Sequence, residues 1–338
     1  MSTTVLAAIN VQGIRILHSI FIGMGNLGTV INLFIFLREK MRKQICSLFF
    51  IGYLITNFGR INFYTLLPTL NIGFGIDIFG KYPGFCPYRR YLGDVLLIIP
   101  NYLLVCASLD RMLFTSSNAN TRSRMNRRLA LFLIGGNILF WSLFNIYLFF
   151  FSQIQVLNGI STICYVKPGV GYTFYTFHSL IDVETIPILL MTGFGIQTIR
   201  HVKQMRVRSN LNFNKRDRNF ITILSIQVVA FIILRLPNPI YYLYEVITSS
   251  TIKSSNRVAI ENFVFFIVSL LGHAEGAAFP WINLMTSGSR TELKQAINYI
   301  IQKIHPRAIG NTTTASNVEI EGQNIQRTNN NINAIAPI

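Results

Sequence analysis

Seven long apolar stretches constrain this chain more strongly than any other feature of its sequence. Each is at least as long as the roughly 20 residues that a helix needs to cross the hydrocarbon core of a bilayer. Helix is the expected form, because backbone groups in lipid must pair within the segment and the ~10-residue alternation of a membrane barrel is not seen. Numbered in chain order as helices one to seven, the stretches cover residues 14–37, 47–70, 92–114, 129–151, 176–199, 220–244 and 258–286.

The composition agrees with a membrane protein. Of the 338 residues, 51% are hydrophobic and 13% are charged, whereas a soluble domain carries about 25% charged residues. The first stretch lacks a small-residue cleavage site at a suitable distance, so we interpret it as a retained span rather than a signal peptide. The sequence therefore predicts an all-α membrane protein, a seven-transmembrane helix bundle.

The basic residues predict how the bundle is oriented. The net charge is +17, and Lys and Arg number 20 in the tail and the loops after helices one, three and five, but seven on the opposite side. The positive-inside rule then places the N-terminus outside and the C-terminus in the cytoplasm. Because this charge lies in short loops, it indicates contact with anionic lipids of the inner leaflet rather than nucleic-acid binding.

Two of the four cysteines fall on the predicted outer side. Cys86 precedes helix three and Cys164 lies in the loop between helices four and five. An oxidising exterior permits a disulfide between them. Cys46 and Cys106 fall within apolar stretches and are interpreted as small hydrophobic residues.

An Asp110–Arg111 pair closes the apolar run of helix three, 25 residues after Cys86. At a rise of 1.5 Å per residue, a helix of that length spans about 37 Å, so the pair is expected at the cytoplasmic mouth. An outer cysteine before helix three and an Asp-Arg pair at its end resemble the rhodopsin-like (class A) G-protein-coupled receptors. Met112 stands where that family has Tyr.

Landmarks in the other helices extend the resemblance. They are Asn26 in helix one, Asn57 in helix two, Trp141 in helix four, Pro187 in helix five, Phe231 and Pro237 in helix six, and Pro280 in helix seven. Several positions depart from the family pattern. Asn57 replaces the Asp that binds sodium, Arg235 replaces Trp, and Gly195 and Asn283 replace two Tyr residues.

The resemblance implies a receptor that binds an extracellular ligand and activates a heterotrimeric G protein at the plasma membrane. It implies that Cys86 and Cys164 are bridged. It also implies that an acidic residue 20 positions before Pro237, which is Asp217 here, pairs with Arg111 and holds the receptor inactive together with Asp110.

Several charged residues fall inside apolar stretches, among them Arg60, Asp94, Arg235 and Glu275. Such charges are costly in lipid, so they usually face the bundle interior and find a partner. In the family the positions of Arg235 and Glu275 touch. We therefore expect an Arg235–Glu275 ion pair at the floor of a ligand cavity, with Arg60, Asp94 and His273 lining the cavity above it.

The ligand class is only partly constrained. Helix seven holds no Lys for a retinal Schiff base, and the position of the family's amine-binding Asp is filled by Gly93. Arg89, Arg90 and Lys167 add positive charge near the outer loop 152–175. These features favour a peptide or another sizeable ligand.

Three other functions compete with that of a signalling receptor. The altered helix motifs leave a non-signalling seven-helix receptor open. A transporter is less favoured because the two halves show no internal repeat. An enzyme is not expected, because the five His residues are scattered without an HExxH pattern, and no metal or cofactor is expected either. Ligand-stimulated nucleotide exchange would separate these alternatives.

The chain divides into four predicted segments. Residues 1–13 form a short extracellular N-terminus, and residues 14–289 form the seven-helix transmembrane domain. Residues 290–305 carry apolar side chains at helical spacing and are predicted to form an amphipathic helix on the membrane surface. Residues 306–338 are predicted to be a disordered cytoplasmic tail.

Overall fold

A computed structural model describes residues 3–76, 81–157, 161–209, 215–248 and 251–285. The predicted amphipathic helix 290–305 and the tail 306–338 lie outside the described residues, and so does the side chain of Asp217. The described part contains seven long helices and one short β-hairpin. It confirms the predicted seven-helix bundle.

The seven helices keep the predicted order. Helix one comprises Thr3–Gly13, Ile14–His18 and Ser19–Phe36, and helix two comprises Ile45–Arg60, Ile61–Thr65, Leu66–Pro68 and Thr69–Gly73. Helix three is Phe85–Phe114, helix four runs over Arg127–Phe144, Asn145–Tyr147 and Leu148–Phe151, and helix five over Val170–His178, Ser179–Thr185 and Ile186–Ser209. Helix six comprises Lys215–Arg235 and Pro237–Thr248, and helix seven is Ser255–Met285. Helix one begins at Thr3, earlier than the predicted start at residue 14.

Six of the described helices are long and apolar enough to cross a membrane. They are Val5–Phe36, Phe85–Phe114, Arg127–Phe151, Val170–Gln204, Ile221–Thr248 and Ser255–Met285. Helix two does not meet that standard of apolar composition, because Asn57, Arg60 and Asn62 lie in its middle. Two of these polar residues, Asn57 and Arg60, are buried inside the bundle, so they do not face lipid.

Large apolar side chains cover both the inside and the outside of the bundle. Tyr53, Phe231 and Phe279 are among the largest fully buried side chains, and Phe132 and Phe150 are more than 70% exposed. In water such exposure would be unusual for so many residues, whereas in a bilayer lipid tails cover the outer surface. The packing therefore agrees with a multi-pass membrane protein.

Proline residues free backbone carbonyls that side chains then bind. Proline has no N–H, so the carbonyl four residues earlier loses its helical partner. Before Pro280 this carbonyl belongs to Gly276, which accepts a hydrogen bond from Asn57 Nδ2 at 2.9 Å. Before Pro187 it belongs to Val183, which accepts from Asn101 Nδ2 at 3.3 Å. These bonds tie helix two to helix seven and helix three to helix five.

Short π-helical segments interrupt helices one, two and five. They are Ile14–His18, Ile61–Thr65, Thr69–Gly73 and Ser179–Thr185. A π-helical turn inserts an extra residue and rotates the side chains that follow, and such turns are frequent at functional sites. The segment in helix five contains the buried Glu184, and one in helix two directly follows the buried Arg60.

A disulfide fixes the β-hairpin to the start of helix three. Strands Ser152–Leu157 and Ser161–Val166 pair antiparallel, with Ile154 opposite Cys164. The Cys86–Cys164 bond has an S–S distance of 2.01 Å. The bridge expected from the sequence is therefore present, and the part of the bundle around it is called the disulfide end below.

Replacing Cys164 by Ser is expected to destabilise the protein. The bond joins residues separated by 78 positions, and losing such a constraint on the unfolded chain costs roughly 2–5 kcal/mol in small secreted domains. The measurement is the thermal unfolding midpoint, together with the amount of protein at the cell surface. Cys106→Ser is the control, because the Cys106 thiol is outside the disulfide. Two free thiols at 86 and 164 in mass spectrometry of the native protein would contradict the assignment.

Candidate functional site

Four charged side chains from four helices meet in the interior of the bundle. They are Arg60 of helix two, Glu184 of helix five, Arg235 of helix six and Glu275 of helix seven, and each is at most 3% exposed. We call this set the charge cluster. Burying an ionised group costs much free energy unless the group is paired and hydrogen-bonded. The contacts among these four side chains therefore determine whether the bundle is stable.

The contacts form a continuous chain of ion pairs. Glu275 Oε2 accepts from Arg60 Nη1 at 2.7 Å and from Arg235 Nη2 at 3.2 Å. Arg235 Nη1 donates to Glu184 Oε1 at 2.8 Å. The two positive and two negative groups alternate, so the cluster as a whole is neutral. It joins helices two, seven, six and five in that order.

The sequence anticipated part of this cluster. The expected Arg235–Glu275 contact is present. Arg60 lines the cavity, as expected, and in addition binds Glu275 directly. Glu184 was missed. Its signal was available, since it is an acidic residue inside the apolar stretch 176–199, three positions before Pro187.

A glycine makes room for Arg60. A Cβ added at Gly276 would lie 1.9 Å from Arg60 Nη2 and 3.0 Å from Asn57 Oδ1, so only glycine lets the guanidinium lie against helix seven. The Asn57 amide bound to the Gly276 carbonyl fixes the same two helices at this level. Asn57 thus positions the backbone next to the charge cluster.

A narrow cavity lies against the cluster. Its volume is about 40 Å³, which leaves room for only a few waters. Arg60, Glu184 and Arg235 line it, together with Asn238 and His273. Three tyrosines complete its polar lining: Tyr64, Tyr175 and Tyr242.

Two buried histidines lie beside the cavity. His273 Nδ1 is 2.9 Å from Thr65 Oγ1, and its ring centroid is 4.5 Å from that of His18. His18 Nδ1 is in turn 3.2 Å from Thr69 Oγ1. His273 therefore lines the cavity, as the sequence expected, and contacts helices two and one.

Asp94 was expected to line the cavity, but among the described residues it contacts the cavity only through Tyr175, which lines it. Asp94 itself is absent from the residues that line the cavity. Asp94 instead pairs with Arg90 one turn earlier, at 3.2 Å, and accepts a hydrogen bond from Tyr175 at 3.3 Å. Because Arg90 also stacks over the Tyr175 ring, the three side chains form a second polar group nearer the disulfide end, which shares Tyr175 with the cavity lining.

At the opposite end of helix three, Asp110 binds its neighbour Arg111. Arg111 Nε donates to Asp110 Oδ2 at 2.8 Å, and the guanidinium lies over the Phe114 ring. Asp217 is predicted to join this pair, but its side chain is outside the described residues. Helices six and seven are linked near this end by Gln227 Nε2, which donates to Asn283 Oδ1 at 2.9 Å. The sequence did not point to Gln227.

The remaining landmarks have structural contacts. Asn26 and Asn62 exchange side-chain hydrogen bonds between helices one and two. Trp141 is buried and packs against Tyr102 of helix three. Phe231 is buried against Phe279. These contacts order the bundle around the charge cluster.

Comparison with known protein families gives one match. The family described as "7 transmembrane receptor (rhodopsin family)" matches residues 29–282. The match covers well over half of the chain, and it includes the whole charge cluster and the Asp110–Arg111 pair. No curated protein matches the chain.

Gly276→Ala is expected to displace Arg60 from Glu275. Breaking one contact of a buried ion pair costs up to about 3–5 kcal/mol, so the thermal unfolding midpoint should fall clearly. Gly135→Ala in helix four is the matched control, because nothing lies within 4 Å of an added Cβ there. That change should be neutral or stabilise the helix by about 0.5–1 kcal/mol. Equal midpoints for the two variants would show that Gly276 makes no room for Arg60.

Removing two opposite charges of the cluster is expected to cost less than removing one. Glu275→Leu takes away the carboxylate that binds both arginines, whereas Arg60→Leu/Glu275→Leu leaves only the neutral Arg235–Glu184 pair. An uncompensated buried charge is the larger penalty. The double variant should therefore unfold at a higher temperature than Glu275→Leu alone. If the losses of the two single changes simply add, the four groups are not coupled.

Proposed function

Because the chain belongs to the rhodopsin family of seven-transmembrane receptors, we propose that it binds an extracellular ligand and activates a heterotrimeric G protein at the plasma membrane. Members of this family are receptors, not enzymes. The excess of Lys and Arg in the tail and in alternate loops supports an orientation with the N-terminus and the disulfide outside. The Asp110–Arg111 pair then faces the cytoplasm.

The charge cluster is the observation that carries this proposal. Helix six is connected to helices five and seven through one side chain, Arg235, directly below a cavity. A ligand that brings its own charge competes for Arg235 or for its carboxylate partners. Because such a ligand binds better when these contacts are rearranged, it shifts the population towards the state in which helix six has moved.

The outer end favours a ligand larger than the narrow cavity. The disulfide-bound hairpin and the exposed Lys167 that follows it give the mouth a polar surface. A peptide suits such a surface, because its backbone pairs with polar groups while one of its ends enters the bundle. A peptide is therefore our preferred ligand class.

The cytoplasmic end supplies the site for the G protein. In the resting state we propose that Arg111 is held by Asp110 and Asp217 and is released when helix six moves. The Gln227–Asn283 hydrogen bond links helix six to helix seven near this level, so it would also break or rearrange on activation. One such hydrogen bond contributes about 1 kcal/mol of net stability, which is small enough for ligand binding to break it.

One alternative is supported by particular residues. Met112, Gly195 and Asn283 stand where many relatives in the family have tyrosine. A receptor that binds its ligand without activating a G protein would tolerate these changes. Purified receptor that folds and binds ligand, yet stimulates no nucleotide exchange on any G-protein subtype, would favour this alternative.

Asp217→Ala is expected to raise basal signalling, and Arg111→Ala to abolish G-protein coupling. A partly hydrated ion pair is worth up to about 1 kcal/mol, so the active population should increase about fivefold. The measurement is ligand-free nucleotide exchange at matched receptor amounts. Glu39→Ala is the control, because Glu39 is an exposed acid that binds Lys43. Unchanged basal exchange in Asp217→Ala would leave Asp217 as one hydrated charge in a basic loop.

A further inference from the structure

The charge cluster and its neighbour Asn238 contain hydrogen-bond donors and an acceptor that no described residue binds. Arg60 Nη2, Arg235 Nε and Asn238 Nδ2 are donors that bind no described residue, and Glu184 Oε2 is an acceptor in the same situation. All four side chains are more than nine-tenths buried, and all four line the cavity. Buried polar atoms are nearly always paired. The side chains that line the cavity therefore hold several donors and one acceptor without a partner among the described residues, and a molecule that enters the cavity can pair with them once these side chains turn towards it.

The neutrality of the cluster limits which molecules fit. The charges of Arg60 and Arg235 are balanced by those of Glu184 and Glu275. A ligand with a single charge would leave a net charge in a region shielded from water, which is strongly unfavourable. A ligand with one positive and one negative group adds two charges and keeps the sum at zero.

The spacing of the free atoms limits the ligand further. Arg235 and Glu184 are in direct contact at 2.8 Å, so the donors and the acceptor belong to neighbouring groups. The two charges of the ligand must therefore also be close together, as they are within one amino-acid residue. The small volume of the cavity leaves no room there for a long spacer between them.

We propose that this cavity binds a compact zwitterion, whose carboxylate accepts from Arg235 and Asn238 and whose ammonium group donates to Glu184. Two sources have this chemistry: a free α-amino acid, and a peptide whose N-terminal residue is acidic and so places a carboxylate beside the terminal ammonium. The second source agrees with a peptide ligand whose remaining residues lie in the outer mouth. The inference rests on the proposed ligand site, but not on G-protein coupling.

The test measures binding by the full-length chain in lipid nanodiscs. A ligand that binds only the folded state raises the unfolding midpoint according to its concentration and affinity. The first set of probes is L-alanine, alaninamide without the carboxylate, and N-acetylalanine without the ammonium group. The second set consists of C-terminally amidated tripeptides: Asp-Ala-Ala, Asn-Ala-Ala, and N-acetylated Asp-Ala-Ala. Each set removes one charge at a time.

We expect at least one zwitterion to bind at least about tenfold more tightly than both of its singly charged derivatives, because a charge-assisted hydrogen bond is worth more than a factor of ten. A response to alanine alone identifies free amino acids as the source, and a response to the tripeptide alone identifies a peptide terminus. The proposal is overturned if a singly charged derivative binds as well as its zwitterion, or if neither zwitterion stabilises the protein at millimolar concentration.

Two variants assign the binding to the cavity. Asn238→Leu removes an unused donor without touching an ion pair, and it should weaken zwitterion binding about tenfold. Asn137→Leu, which removes a side-chain hydrogen bond to Ile99 outside the cavity, should leave binding unchanged. Equal binding by both variants would place the zwitterion elsewhere. The binding measurement needs no G protein. Zwitterion binding without nucleotide exchange would therefore contradict only the proposed signalling. Nucleotide exchange without zwitterion binding would contradict only this inference.

Discussion

The pairing of ionised side chains that water cannot reach is the constraint on which the rest of this bundle depends. Insertion scales assign a cost of about 2.5–3.5 kcal/mol to a charge at the centre of a span, and the charge cluster contains four. Each helix can therefore lie only where its charged residue meets the next one. Helices two, five, six and seven are positioned jointly, and a change in one is felt by the others.

Local backbone chemistry makes this pairing possible. Gly276 leaves space for the Arg60 guanidinium, and Pro280 frees the Gly276 carbonyl for Asn57. The π-helical segment of helix five contains Glu184 and is followed by Pro187, which frees the Val183 carbonyl for Asn101. Glycine and proline, which usually interrupt helices, thus determine where along each helix and on which side of it the charged side chains meet.

Hydropathy predicted the fold, because seven apolar stretches of sufficient length leave few arrangements in a bilayer. The disulfide was also predicted, because both cysteines lie on the outer side and the family resemblance implies their bridge. The Arg235–Glu275 contact was predicted because charges inside spans need partners and these two positions touch in the family. The place of Arg60 depends on the absent side chain of Gly276. Asp94 is bound by Arg90, which lies one turn earlier on the same helix. Neither contact follows from hydropathy, which does not encode the rotation of a helix about its axis. Glu184 was visible as a charge in a span and was overlooked.

The most direct test of the central claim is a distance measurement between helix six and the segment that follows helix three. Spin labels are attached at Ser123→Cys and Ile226→Cys, with Cys46 and Cys106 changed to Ser. Double electron–electron resonance spectroscopy then measures the distance between the two labels. If the charge cluster holds helix six in place, the intact cluster gives one narrow distance distribution, and Glu275→Gln adds a second, longer population. An unchanged narrow distribution in folded Glu275→Gln protein would contradict the claim.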